Sequence, residues 1–144
     1  MPLTNLQKAK LLNHYYGNTP LEAPEFLYVG LSLSAPTEEG ENFTEPDNED
    51  GYARVKIAND TTTWAAATVD NPSIKTNDVP IEFPEATGDW GAIKYWGIFE
   101  QETGGTCIDW AELSIHKVIS NGDAARFKPG ELRTILRNPE LPSE

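Results

Sequence analysis

The sequence predicts a mainly β protein, either a β-sandwich or a jelly-roll-like barrel of about seven or eight short strands with one N-terminal helix. Apolar and polar residues alternate in several short stretches after residue 24, which is the period of a strand with one buried face. Turn-forming Gly, Pro, Asn and Asp separate these stretches at roughly ten-residue intervals. With 144 residues, the chain has the length of one ordinary domain, so we expect a single domain over residues 1–144.

The first predicted element is a helix over residues 3–16. Its apolar residues recur at helical spacing, at Leu3, Leu6, Ala9, Leu12 and Tyr16. Thr4 or Asn5 can cap the start of this helix, and Gly17 ends it. We expect one amphipathic helix that packs at one end of the β structure.

The β-sandwich is predicted over residues 25–137. In its first strand, residues 25–34, alternation places Leu27, Val29 and Leu31 on one face together with Leu33, so this face should be buried. The other predicted strands are 52–58, 62–69, 79–83, 93–101, 107–113, 115–119 and 132–137. The glycine pair Gly104-Gly105 predicts a hairpin turn between two of them.

An acidic loop is predicted over residues 35–51, between the first two strands. This segment contains seven carboxylates, two prolines and two glycines, a composition that buries too little apolar surface to order itself. We therefore expect a long exposed loop. Residues 138–144, which contain two prolines, are expected to form a flexible tail.

The charge of the chain limits the classes of partner. A formal net charge of −12 argues against binding to nucleic acid, whose phosphates require a basic face, and against attraction to anionic lipid. No basic residue occurs between Lys10 and Arg54, whereas five lie near the C-terminus, at Lys117, Arg126, Lys128, Arg133 and Arg137. Two interpretations stay open: the acidic loop meets the basic C-terminal strand of a neighbouring copy, or both are simply solvated.

The N-terminus lacks a basic region followed by an apolar stretch, and no run of residues approaches the roughly 20 apolar residues of a membrane span. We expect the protein to be made in the cytoplasm and to leave the cell only by lysis.

Catalytic, cofactor and metal sites are not predicted. His14 and His116 stand in no metal-binding or nucleophile motif, phosphate-binding glycine loops are missing, and Cys107 is the only cysteine. We expect Cys107 to be a buried small hydrophobe. Two alternatives were weighed and not favoured: a calcium site at residues 47–51, which does not fit the EF-hand spacing, and a pair of catalytic carboxylates.

The aromatic residues allow two interpretations. Trp64, Trp90, Trp96 and Trp110, with Tyr28, Tyr52 and Tyr95, could form a platform for sugar stacking. At strand positions, however, such rings more often fill the core or form subunit contacts, and we favour this interpretation.

A set of short motifs covers nearly the whole chain in order. These motifs are LLNH (11–14), FLYVGLS (26–32), FTEP (43–46), GYAR (51–54), IEFPEATGDWG (81–91), WGIF (96–99), WAEL (110–113), SNGD (120–123) and FKPGEL (127–132). The combination resembles a family of small tail-fibre-like structural proteins of tailed bacteriophages. The resemblance implies a β-rich virion subunit without known catalytic residues. The strongly acidic loop and the extension at residues 138–144 depart from the common pattern.

We therefore predict a structural component of a tailed-phage virion, a tail fibre or adaptor or a capsid decoration (cement) protein, and not an enzyme. It is expected to form a homo-oligomer and to contact other virion proteins, without nucleic acid, membrane or cofactor, and to be located in the virion after synthesis in the host cytoplasm. The candidate contact residues are Tyr15, Tyr16, Trp64, Trp96, Arg133 and Arg137. The alternative is a module that binds host-surface carbohydrate.

Overall fold

The computed structural model describes residues 3–137. Within this range the chain forms one α-helix, a short 3-10 helix at Asn48–Asp50 and eight strands. The elements are α1 (Asn5–Tyr15), β1 (Phe26–Ser32), β2 (Val55–Ala58), β3 (Ser73–Thr76), β4 (Ile81–Glu82), β5 (Gly91–Phe99), β6 (Asp109–Ile119), β7 (Arg126–Phe127) and β8 (Arg133–Leu136). The predicted tail, residues 138–144, lies outside the described residues.

All strand pairs are antiparallel and form three sheets. The largest sheet has the order β2-β1-β5-β6, and two small sheets are formed by β3 with β8 and by β4 with β7. The prediction of a mainly β protein with about eight short strands and one N-terminal helix is therefore confirmed. The sheets do not close into a barrel.

The core lies between one face of the four-stranded sheet and the β4–β7 pair. Alternation along β1 buries Leu27, Val29 and Leu31, as predicted. From the other side, Phe83 and Phe127 pack edge to face with their ring centroids 6.2 Å apart. Other members of this cluster are Ile57, Ile81, Trp90, Ile93, Trp96, Ile98, Leu113, Ile119 and Leu132. Burial of such side chains stabilises the fold by roughly 1.5–3 kcal/mol each.

The opposite face of the sheet is covered by the acidic loop. Gly30 of β1 pairs with Gly97 of β5, and the Phe43 ring lies over them. A Cβ atom on Gly97 would lie 2.6 Å from Cε2 of Phe43, so only glycine leaves room for the ring. Phe43 also packs edge to face on Phe99, with a centroid distance of 4.9 Å.

The expectation of a simply exposed acidic loop is corrected by these contacts. Residues 35–51 contain no strand, and most of their carboxylates are exposed. The backbone, however, is held by two indole N–H groups: Trp110 Nε1 donates to Thr37 O at 3.0 Å, and Trp90 Nε1 donates to Asp50 O at 2.8 Å. Anchors from other elements therefore order a segment whose own composition would not.

The structure departs from the predicted strands in several places. Residues 62–69 form no strand apart from an isolated bridge between Trp64 and Asn77, because the Asp60 carboxylate accepts hydrogen bonds from the backbone N–H groups of Thr62 and Thr63 and turns the chain. Strand β3 lies between the predicted strands 62–69 and 79–83, where no strand was expected. Residues 107–113 and 115–119 join into the single strand β6.

Candidate interaction surfaces

Helix α1 begins at an N-cap, where Thr4 Oγ1 accepts from the backbone N–H of Gln7 at 3.4 Å. The chain at this end is held to the rest of the molecule, since Thr4 N donates to Ile108 O at 3.0 Å and Asn5 N donates to Glu38 O at 2.9 Å. The helix itself contains no buried residue. The expected position of α1 is therefore only partly right: its first turn is attached, but its apolar face is not packed against the sheet.

The apolar residues of α1 form an exposed surface. This α1 surface comprises Leu6, Leu11, Leu12, Tyr15 and Tyr16. The two tyrosines are 80% and 72% exposed, and their rings contact each other edge to face with centroids 5.1 Å apart. An isolated helix of this length is marginal in water and is normally stabilised by packing of its apolar face. Contiguous exposed apolar groups of this kind mark sites of protein interaction.

The charge of α1 differs from that of the rest of the chain. The helix carries Lys8 and Lys10 and no carboxylate, whereas the whole chain has 23 acidic against 11 basic residues. Its complement is therefore an acidic surface with apolar groups.

A second exposed apolar group lies on β6. Residues 113–116 bulge out opposite Lys94 alone, because Tyr95 pairs with Glu112 and Ile93 pairs with Lys117. Bulges bend a strand and interrupt an open sheet edge. Ile115 within this bulge is 73% exposed, and Val118 beside it is 70% exposed. A groove of about 570 Å³ separates this part of β6 from the residues before and within β8, and Arg133 and Ile135 line it.

The structure distributes the predicted contact residues over several features. Tyr15 and Tyr16 belong to the α1 surface, while Arg133 and Arg137 are exposed at the two ends of β8. Trp96 requires a correction: its side chain is 3% exposed and belongs to the core, because β5 places it between the sheets. Although it borders the groove beside β6, it offers little surface to a partner.

The remaining candidate, Trp64, is half-buried and lines a pocket of about 210 Å³ between the four-stranded sheet and the β3–β8 pair. This Trp64 pocket is lined by Leu3, Leu27, Asn59, Trp64, Lys75, Ile98, Ile108, Asp109 and Thr134. Among buried side-chain nitrogen and oxygen atoms of residues 3–137, only Trp64 Nε1 and Asp109 Oδ1 have no hydrogen-bond partner. Both belong to residues of this one pocket. A buried donor and a buried acceptor without partners carry an energetic cost of roughly 1–3 kcal/mol each.

The other oxygen of Asp109, Oδ2, accepts a hydrogen bond from the Thr134 hydroxyl. Burial raises the pKa of Asp109 to about 6, and the Thr134 hydrogen bond limits this rise because it favours the ionised carboxylate. The sequence contained a signal for this site, since alternation places Asp109 in phase with the buried Cys107 and Leu113. The proximity of Trp64 to Asp109 depends on an irregular connection, and no pattern in the sequence predicted it.

A polar network joins the acidic loop to β1 and β2. Glu45 receives a bidentate pair from Arg54, with Nε 3.1 Å from Oε2 and Nη2 2.5 Å from Oε1. The Tyr52 hydroxyl donates to Glu45 Oε2 at 2.5 Å and accepts from the backbone N–H of Leu31 at 3.1 Å. Burial, and next the charge of Glu45, raise the pKa of Tyr52.

The Arg54 side chain is 4% exposed and satisfies its remaining donor within the hairpin loop. Its Nη1 donates to Gln101 O at 2.9 Å and to Gly104 O at 2.8 Å. The guanidinium carbon lies 3.5 Å from the centroid of the Phe99 ring, a cation–π contact. We interpret this network as structural, since the groups it contains pair with one another.

The described part of the chain holds no cluster of three or more His, Cys, Asp or Glu side chains that could bind a metal. In the same residues, no helix has the length and apolar character needed to cross a membrane. Cys107 is 1% exposed, as expected for a small buried hydrophobe, and burial raises the pKa of its thiol to about 12.

The chain is a mainly β protein with exposed apolar groups on α1 and β6. Residues 2–134 match the family model described as podophage GP4 fiber I protein gp80. The chain belongs to this family of phage fibre proteins, which confirms the resemblance seen in the sequence. No curated protein matches the chain.

Proposed function

We propose that this protein is a non-enzymatic structural subunit of a podophage fibre that assembles in multiple copies. Synthesis would take place in the host cytoplasm and assembly in the virion, where the subunit contacts other virion proteins and neither nucleic acid nor membrane. We favour a tail fibre or adaptor over a capsid decoration protein, because the matched family is described as a fibre protein. Burial of apolar area between subunits would supply the stabilisation.

The observation that carries this proposal is the α1 surface. This helix has two lysines, no carboxylate and no buried residue, and backbone hydrogen bonds at its N-terminal end hold it to Glu38 and Ile108. A second copy of this strongly acidic chain offers the complementary charge, whereas helix-to-helix contact would oppose lysines to lysines. We therefore propose that α1 of one copy contacts the β structure of another. Contact between the acidic loop and the basic residues of β8 in a neighbouring copy, Arg133 and Arg137, is compatible with this arrangement.

The test is the oligomeric state of the purified protein, measured by native mass spectrometry and by light scattering on a sizing column. The double variant Leu6→Gln/Leu12→Gln removes apolar area from the α1 surface without lowering helix propensity much. We expect an oligomer for the natural chain and a monomer for this variant. Val69→Gln is the matched control, because Val69 is fully exposed in a connection away from α1, and this variant should still assemble.

Imaging of intact particles gives an independent test. Density for this chain in a fibre or at its attachment point would support the proposal. A natural chain that is strictly monomeric and missing from particles would refute it, and an oligomer that persists in the Leu6→Gln/Leu12→Gln variant would refute the role of α1.

The alternative of a carbohydrate-binding module depended on a platform of exposed rings. Trp90 and Trp96 are each 3% exposed, and Trp64 and Trp110 are half-buried. Because the rings do not form a common exposed face, we do not propose this as a second function.

A further inference from the structure

The Trp64 pocket combines three properties. Its walls are mainly aliphatic, from Leu3, Leu27, Ile98 and Ile108. Its volume of about 210 Å³ is far larger than the roughly 10–15 Å³ that one water needs. Two of its lining residues also carry a buried polar atom that has no partner within the described residues: the donor Trp64 Nε1 and the acceptor Asp109 Oδ1. A matching ligand has an apolar body and one group that both donates and accepts.

We propose that this pocket receives the side chain of Tyr15 or Tyr16 from a second copy of the chain. The inference rests on the proposed self-association and identifies a specific contact in it. A tyrosine hydroxyl donates one hydrogen bond and accepts another, so it satisfies Asp109 Oδ1 and Trp64 Nε1 together. The tyrosine ring packs against the aliphatic walls, as aromatic anchors do at the centres of interfaces.

Within the described residues, Tyr15 and Tyr16 are the two aromatic residues among the large hydrophobic side chains that are exposed. They lie at the end of the helix that is not attached to the sheet. Trp64 belongs to an irregular connection between β2 and β3, where a small shift of the indole can open its N–H group to an entering hydroxyl. The exposed tyrosines and the Trp64 pocket with its two unpaired polar atoms therefore occur on the same chain.

The chain's own tyrosines cannot fill its own pocket while α1 remains intact. Leu3, directly before the helix, lines the pocket, and α1 has 11 residues. At 1.5 Å per residue, such a helix places its C-terminal end about 16 Å away from its start. The tyrosine must come from another copy, so the contact joins two different surfaces. Interfaces of this kind generate closed rings or open filaments, depending on the rotation between copies.

Two variants separate the two halves of this contact. Tyr15→Phe/Tyr16→Phe removes both hydroxyls from the exposed helix and keeps the rings, whereas Trp64→Phe removes the donor of the pocket and keeps an aromatic side chain. Each should weaken association by roughly 10- to 100-fold, the effect of losing hydrogen bonds in a buried contact that includes a carboxylate. Trp110→Phe is the control, because Trp110 Nε1 donates to Thr37 O and lies outside the pocket. Circular dichroism checks that every variant is folded.

The decisive measurement mixes the two variants at a concentration at which each alone is monomeric. The tyrosine variant keeps an intact pocket, and the Trp64 variant keeps intact tyrosines, so one productive contact remains possible between them. Native mass spectrometry with one partner isotope-labelled should detect mixed dimers. The absence of mixed dimers, or normal association of both variants, would overturn the tyrosine contact.

These outcomes are distinguishable from failure of the proposed function. If Leu6→Gln/Leu12→Gln abolishes assembly while the tyrosine and Trp64 variants assemble normally, self-association through α1 stands and the tyrosine contact is wrong. If the natural chain is strictly monomeric at all concentrations tested, both proposals fail.

Discussion

The acidic loop and helix α1 differ in whether other residues of the same chain hold their side chains in place. Around Glu45, a segment rich in carboxylates is fixed because Arg54 and Tyr52 bring buried, paired hydrogen-bonding groups to it. In α1, by contrast, the large apolar side chains remain 40–80% exposed and none is buried. The composition of the loop predicts disorder, yet contacts from other elements fix it. The pattern of the helix predicts a packed apolar face, yet that face is exposed.

This difference separates interactions that are satisfied within one chain from a surface that has no partner within the described part of the same chain. The Glu45 network is satisfied by residues of one chain, so its disruption should lower the free energy of unfolding of the monomer. The α1 surface has no intramolecular partner, so its disruption should affect assembly and leave the monomer nearly unchanged.

Removal of the Arg54 charge should destabilise the monomer most. Arg54→Met leaves the Glu45 carboxylate without its bidentate partner in a partly buried position, and loss of one member of such a pair costs about 3–5 kcal/mol. Urea unfolding followed by tryptophan fluorescence measures this change. Arg126→Met is the matched control: Arg126 Nε lies 3.3 Å from Glu82, but both side chains are more than half exposed, so the loss should be below about 1 kcal/mol. Equal effects of the two variants would contradict the network's structural role.

The next effect concerns Asp109 and depends on pH. Burial raises the pKa of Asp109 from 3.8 to about 6, so the folded chain retains a proton that the unfolded chain releases at lower pH. Stability should therefore fall as the pH rises from about 4 to about 6, with the full penalty present above pH 6. At 1.36 kcal/mol per pKa unit, this penalty is about 3 kcal/mol.

Asp109→Asn should abolish this fall, because the amide does not ionise. Thr134→Val should enlarge it, because the variant loses the hydrogen bond that favours the ionised carboxylate. The measurement is a series of urea unfolding curves between pH 4 and pH 7.5. The site would be wrongly described if all three proteins showed the same dependence on pH.

Tyr52→Phe should have a smaller effect. The variant keeps the ring but removes the hydroxyl that accepts from Leu31 N at the point where β2 no longer pairs with β1. The buried N–H is then unsatisfied, at a cost of about 1–3 kcal/mol. Chemical unfolding of this variant beside Tyr28→Phe, at a half-buried position of β1, measures the difference. A loss no greater than that of Tyr28→Phe would show that the hydroxyl does not hold the sheet.

Much of the fold could be predicted because its strands are set by alternation within a few residues. The burial of Leu27, Val29 and Leu31 follows from period-two patterning alone. Pairings between distant segments produce no comparable pattern in the sequence. The bulge in β6 and the bridge between Trp64 and Asn77 both depend on how separate segments meet. Local turn chemistry at Asp60 outweighed the β propensity of residues 62–69.

The positions of the candidate contact residues could be predicted only in part. Contact of Tyr15 and Tyr16 with a partner stays a prediction, and their side chains are exposed as such a contact requires. Trp96 was misplaced because sequence alternation shows that a residue belongs to one face of a strand without showing which face is covered. The Trp64 pocket requires residues from seven separate parts of the chain to meet and could not be inferred from any one of them.

The smallest expected effect on stability is that of Leu12→Gln in α1, measured at a concentration at which the chain is monomeric. Leu and Gln have similar helix propensities, and Leu12 is 60% exposed, so the free energy of unfolding should change by less than about 0.5 kcal/mol. Leu31→Ala, at a position that is 1% exposed, should cost about 2–5 kcal/mol in the same measurement. A loss above about 1 kcal/mol for Leu12→Gln would mean that α1 packs against its own chain in solution. The apolar face of the helix would then already be covered, and the argument that it is completed by a second copy would no longer hold.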